Sequence, residues 1–248
     1  MKYWKDGGEE WSKPWGNSAA QWAGVIFPRI RDCLPAETIL EIAPGFGRWT
    51  HYLREHCQNL WLVEKADQCY AACSERFGTD PRIKIFHNDG HSLSMIPDNS
   101  IDFVFTFDSL VHDRRGFIES YLSQLESKLK PGGKGFFHHS NLGSYANSPR
   151  NRFPEPVVNL LQKSGVLDSD HHRTPFMTAE LFRELCAKHG LHCVRQELIN
   201  WRARRLIDCF SWFAREATLH TQATEIIRNP NFMREAARIR RSIPSSTP

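Results

Sequence analysis

Apolar residues fall in short runs separated by stretches with helical spacing. TILEIA (38–43), NLWLVE (59–64), RIKIFHND (82–89), SIDFVFTFDS (100–109) and KGFFHH (134–139) each predict a strand. The nearly continuous apolar character of 100–109 is that of a parallel strand buried on both faces. Between these runs, 48–57, 66–77 and 115–129 carry helical spacing; in the last, Phe117, Tyr121, Leu122, Leu125 and Leu129 share one side. Alternation of strand and helix predicts an α/β fold built on a doubly wound parallel sheet. Upstream, 18–34 is helical, with Ser18 as a possible cap and a kink or break at Pro28. Downstream, 178–190 is a helix, and LHCVRQELINW (191–201) and RRLIDCFSWFA (204–214) predict two strands. Their short connection makes them an antiparallel pair. Residues 223–243 read as a terminal helical region broken at Asn229–Pro230.

The stretch 140–177 differs from the rest. It is rich in Asn, Ser, Pro and His and follows the carboxyl end of a strand, where open α/β sheets bind ligands, so it is expected to be a substrate lid. The organisation expected is a single domain over 1–248. It has an N-terminal helical or lid segment (1–35), a cofactor-binding core (36–139), the insertion (140–177) and a C-terminal part of the sheet with a helix (178–248).

Composition narrows the class only slightly. Forty per cent hydrophobic residues in 248 are enough for a full core. The net charge of +4 is modest, and its late arginines (202, 204, 205, 234, 238, 240, 241) suit a solvated basic face better than a phosphate track. No apolar run is long enough to span a membrane, and MKYWKDGGEEW has no signal-peptide core. Seven cysteines without a C-x-x-C motif fit reduced thiols, and the expected location is the cytoplasm.

Candidate chemistry begins at LEIAPGFGRWT. Gly45 and Gly47 let a ligand approach the backbone, but Thr50 stands where a dinucleotide loop has its third glycine, which disfavours a pyrophosphate. Glu64, about 20 residues on, has the spacing of an acid that accepts from ribose hydroxyls. Asp89, in HNDG, follows the third strand and suits an exocyclic amine. Either acid has a plain turn role as its alternative. The series LEIAPGFGRWT, LVEKAD, HNDG, IDFVFTFDSLVH and LKPGGKGFF resembles the class I S-adenosylmethionine-dependent methyltransferases over about residues 36–213. The resemblance implies a seven-stranded, mostly parallel sheet of order 3-2-1-4-5-7-6 with the seventh strand antiparallel. It also implies S-adenosylmethionine bound by Glu41, Ala43, Gly45, Gly47, Glu64, Asp89 and Gly90. Ala43 departs from the family's usual first glycine.

For an alcohol acceptor, transfer requires positioning and removal of a proton. His112, four residues after Asp108, is the first choice for general base, with Asp108 orienting it or touching the cofactor; packing or capping is the alternative. His138 and His139 point to opposite faces of their strand, so only one reaches the pocket. His139, with Asn141 beyond it, is the second candidate, against a core or cap role. Some related O-methyltransferases hold a divalent cation; Asp108 and Asn141 fit two of its positions, but no second acid follows strand five, and metal is not favoured. HHSN and HHRTPFMTAELF resemble bacterial methyltransferases that modify sugar hydroxyls. This implies a small-molecule or glycan acceptor near Asn141, His172 and Arg173, with His171 also at hand. The Trp-rich N-terminal segment either folds over the cofactor or packs on the sheet edge. A nucleic-acid substrate is disfavoured by the charge and by the lack of an N-P-P-Y or D-P-P-Y element. A non-catalytic protein of the same fold, and a nicotinamide dehydrogenase, stay as alternatives.

Overall fold

The structure is a computed structural model that describes residues 6–113, 116–146, 154–164, 166, 168–216 and 223–243. Eight strands form one sheet in the order β3-β2-β1-β4-β5-β7-β6-β8. They are β1 (Ala36–Ile42), β2 (Cys57–Glu64), β3 (Ile83–His87), β4 (Ile101–Thr106), β5 (Leu129–Ser140), β6 (His192–Ile199), β7 (Asp208–Ala214) and β8 (Glu225–Asn229). β1 pairs in parallel with β2 and β4, β2 with β3, and β4 with β5. β7 runs antiparallel between β5 and β6.

One expectation is corrected here. The sheet has eight strands, because residues 225–229 leave the expected terminal helix and pair in parallel with β6. Ile226 and Ile227 are β-branched, and the segment is too short to repay helix nucleation before Pro230. The helix Phe232–Ser242 starts only after that break.

The pleat divides the core into two layers. Ile39, Phe136 and Trp212 belong to one buried cluster, while their neighbours Leu40, Phe137 and Phe213 belong to the other. Onto the first face pack the helical run 18–33, the helix Asp67–Phe77 through Cys73 and Phe77, and Phe232 of the last helix. Onto the second pack the helices Phe117–Lys128 and Ala179–Lys188, through Leu122, Leu125, Phe182 and Leu185. The run 18–33 is helical throughout and not simply broken at Pro28. A π turn over Trp22–Ile26 precedes Pro28, which has no N–H to offer the turn before it. Among the described residues, no helix is long and apolar enough to cross a membrane.

β5 and β7 approach closely at Gly135, where an added Cβ would sit 2.1 to 2.6 Å from three atoms of the buried Phe213 ring. Gly135→Ala is therefore expected to destabilise the fold by about 1–3 kcal/mol through overpacking. Urea denaturation measures this, and an unchanged midpoint would refute the packing argument.

Candidate active site

The carboxyl ends of β1, β2, β4 and β5 lie along one edge of the sheet. Asp208, the first residue of antiparallel β7, joins them there, opposite Ser140. After β1 the chain turns through left-handed conformations at Ala43, Gly45 and Gly47. For alanine this costs about 1–2 kcal/mol. The conformation is held from both sides: Ala43 N–H donates to Val63 O at 2.9 Å, and Ser109 Oγ donates to Ala43 O at 2.8 Å. At Gly47 an added Cβ would meet the Phe77 ring at 2.3 Å.

Two buried carboxyls flank this loop. Glu41, near the end of β1, accepts a 2.6 Å hydrogen bond from Thr50 Oγ1. Burial pushes its pKa up to about 8, opposed by the Thr50 bond and reinforced by the charge of Glu64. Glu64 accepts from the backbone N–H groups of Gly45 (3.0 Å), Lys65 (2.8 Å) and Ala66 (2.8 Å). Burial still outweighs those bonds and raises its pKa. Thr50, the residue that broke the dinucleotide pattern, is thus a partner of Glu41. Asp89 is exposed, and its Oδ1 caps the N–H groups of His91 and Ser92 at 2.7 Å each. Gly90 follows with φ 87° and lies against the Lys65 side chain.

The β4 end carries most of the remaining polar groups. Asp108 is left-handed at φ 58°, and its backbone N–H donates to His138 Nδ1 at 3.1 Å. Its carboxylate lies 3.7 Å from Arg48 Nη2 and 3.4 Å from Arg173 Nη2. Arg48 also donates to Gly8 O and Ser12 Oγ, which ties the N-terminal segment to this edge. Burial lowers the Arg48 pKa, against the raising effect of Asp108. Arg173 donates to both Asp208 oxygens, with Nε to Oδ1 at 2.9 Å and Nη2 to Oδ2 at 2.8 Å. Burial alone would raise the Asp208 pKa, but Arg173 and His138 outweigh it and hold it down to about 2.

The histidines separate clearly. His112 is exposed, in the short turn Leu110–His112, and its Nδ1 donates to the carbonyl of His172 at 2.8 Å. The neutral ring therefore leaves Nε2 as a free acceptor. Lost hydration within the surrounding protein lowers its pKa, opposed by the His172 bond and reinforced by Arg173. His138 and His139 do point opposite ways, but it is His138 that faces the charged edge. Its Nε2 donates to Asp208 Oδ2 at 3.1 Å. His139 is fully buried on the other face, stacked on Phe182 at 4.4 Å and bonded to Ser140 O and Ser211 Oγ. Burial pushes its pKa down to about 4. The pleat that carries Phe137 into the second core layer carries His139 there too, which removes it from the substrate side.

Asn141 is also spent internally. Its Oδ1 accepts from Ala179 N–H and Ser144 Oγ, and its Nδ2 donates to Leu206 O. Asp108 and Asn141 thus have partners of their own. Among the described residues no group of three or more His, Cys, Asp or Glu is placed to hold a metal ion. His172 is exposed and contributes its carbonyl, and Arg173 is buried. Arg48 and Asp208 lie at this edge and were missed by pattern reading, which also chose His139 over His138, the histidine of the pair that faces the edge. Their only sequence signal is a charge or imidazole inside an otherwise apolar or glycine-rich run.

The loop is flanked by two buried carboxyls whose ionised forms burial disfavours, with no cationic side chain bonded to them among the described residues. Such carboxyls offer a pyrophosphate no counter-charge and suit a ligand carrying positive charge and sugar hydroxyls. Residues 39–133 match a family model described as a methyltransferase domain. No curated protein matches the chain. Among solved structures, an S-adenosylmethionine-dependent methyltransferase from Mesorhizobium loti is 16% identical, with 79% of this chain and 98% of that one covered at a TM-score of 0.56. The N-methyltransferase NodS from Bradyrhizobium japonicum is 13% identical, with 80% and 97% covered at 0.55. The [4+2]-cyclase SpnF is likewise 13% identical, with 80% and 82% covered at 0.56, so the fold alone does not determine the reaction.

The Glu41 environment has a measurable consequence. A folded-state pKa of about 8, above the ordinary 4.5, means the neutral carboxyl stabilises the fold. That contribution is complete below about pH 4.5 and lost as pH rises through about 8. Glu41→Gln, always neutral, is expected to gain in Tm relative to the parent between pH 5 and pH 9. A Tm difference that stays constant across that range would contradict the assignment.

Proposed function

We propose that this S-adenosylmethionine-dependent methyltransferase methylates a hydroxyl of a sugar or related small molecule, with His112 as the general base. The enzyme class and the cofactor rest on the methyltransferase-domain match, which runs from within β1 to within β5 of a methyltransferase-like sheet. The observation that carries the proposal is the state of His112: a neutral ring with Nδ1–H spent on a carbonyl and Nε2 left to accept a proton.

The loop residues Ala43, Gly45 and Gly47 would hold the methionine end of the cofactor by backbone approach, with Glu41 beneath its ammonium group. Glu64 has unused lone pairs that would meet the ribose hydroxyls, and Asp89 Oδ2 with the backbone at Gly90 would meet the adenine. When bound, S-adenosylmethionine supplies a sulfonium methyl group, whose C–S bonding pair stays on sulfur as the new O–C bond forms. His112 Nε2 takes the hydroxyl proton as the acceptor oxygen attacks in line, and a depressed pKa keeps that nitrogen unprotonated at neutral pH. Trp49, Phe107 and Trp201 are buried behind this edge, with Arg48 over Trp49 and Arg173 over Trp201, and brace it from the core side. The insertion 140–177, of which 147–153, 165 and 167 lie outside the described residues, is proposed as the lid, with its own His172 and Arg173, and Asp108 from the β4 end, on the acceptor side.

An acceptor screen with labelled methyl donor, spanning sugars, phenols, amines and short RNAs, tests the substrate class. Label appearing only on amines or RNA would reject the hydroxyl reading. With a true acceptor in hand, His112→Ala is expected to lower kcat by about 10²–10⁴-fold, and turnover within a few-fold of the parent would exclude it as the base. A chelator is expected to leave the rate unchanged, and a loss restored by a divalent cation would reinstate the metal-assisted route.

A further inference from the structure

We infer that Asp208, acting through Arg173, sets which nitrogen of His112 carries the proton, and so acts as a positioning residue for the step that activates the acceptor. The inference rests on the His112 reading above. A neutral imidazole without constraint favours the proton on Nε2, the form useless as a base at that atom. The other tautomer prevails when an acceptor is held against Nδ1. Here that acceptor is the His172 carbonyl, at 2.8 Å.

The carbonyl is aimed by an unusual piece of backbone. His171 and His172 are both left-handed, at φ 48° and 58°, which is costly for two consecutive non-glycine residues. Their ends are pinned. Arg173 N–H donates to Asp170 O at 2.8 Å, and Thr174 N–H donates to Val111 O at 3.0 Å, the residue next to His112. Thr174 O accepts from Ser140 Oγ at 2.7 Å. The strongest pin is Arg173 itself, whose guanidinium enters the buried edge, forks onto Asp208 and stacks over Trp201 at 5.3 Å. Asp208 is fully buried, and among the described residues its carboxylate accepts from Arg173 and His138. It is the fixed point from which Arg173, then the His172 carbonyl, then the His112 ring take their positions.

The tautomer is visible directly in long-range proton–nitrogen correlation spectra of the full chain labelled with 15N-histidine, recorded at pH 8. His112 is assigned by the signals that His112→Ala removes. In the parent, His112 is expected with Nδ1 protonated and Nε2 bare, and the reverse pattern overturns the inference without any anchor variant. In the double variant Asp208→Asn, Arg173→Met, which removes both charges of the buried pair together, His112 is expected to revert towards the Nε2–H form. Should that variant fail to melt cooperatively, Arg173→Lys, which keeps the charge but lacks the fork, is read in its place. A folded anchor variant that keeps the parent tautomer overturns the coupling. In folded variants kcat is expected to fall about 10–100-fold with the KM for S-adenosylmethionine unchanged. If His112→Ala retains turnover while the tautomer still follows Arg173, the base assignment fails and the coupling stands.

Discussion

The Asp108 carboxylate, shared between two buried guanidiniums, is the interaction on which this edge of the sheet depends. Arg48 reaches it from the glycine loop and Arg173 from the crossover after β5. Each guanidinium also lies over an indole, Arg48 over Trp49 at 4.4 Å and Arg173 over Trp201 at 5.3 Å. With Asp208 the set is two positive and two negative groups, so the buried charge balances. Removing one member leaves a buried charge unpaired, which costs about 3–5 kcal/mol. The partners come from residues 48, 108, 173 and 208, so no local segment can form the cluster. It appears only when β4, β5 and β7 are in register. Arg48, through its other terminal nitrogen Nη1, then donates to Gly8 O and Ser12 Oγ and so ties the N-terminal segment to the sheet.

This dependence on assembly explains what the sequence could and could not reveal. Periodicity found β1 to β7 and the antiparallel pair, because burial on one or both faces leaves its mark residue by residue. β8 escaped because an edge strand of five residues with Ile226 exposed carries neither continuous burial nor a long period. The glycine loop was legible as a loop, since Gly45 and Gly47 are required by positive φ. Thr50 was legible only as a departure, because its bond to Glu41 crosses from a helix to a strand. That His138 and His139 face opposite ways follows from the pleat. Which of them faces the charged edge depends on whether Phe136 or Phe137 shares a layer with Phe182, and no local pattern records that.

The two halves of the edge handle charge in opposite ways, and that contrast bears on how one fold can serve donor and acceptor together. On the side proposed for the acceptor, Arg48, Arg173, Asp108 and Asp208 each face an opposite charge, and the proposed base, His112, stands beside charges that balance. On the loop side Glu41 and Glu64 are held in burial without a cation bonded to them, so their ionised forms are disfavoured until positive charge arrives. A ligand bearing an ammonium and a sulfonium would therefore be bound partly by relieving that cost, and its demethylated product, which keeps the ammonium but has lost the sulfonium charge, would relieve less of it. The difference would favour the donor over the product without any moving part. It arises from the same burial that makes the loop poor at holding a pyrophosphate.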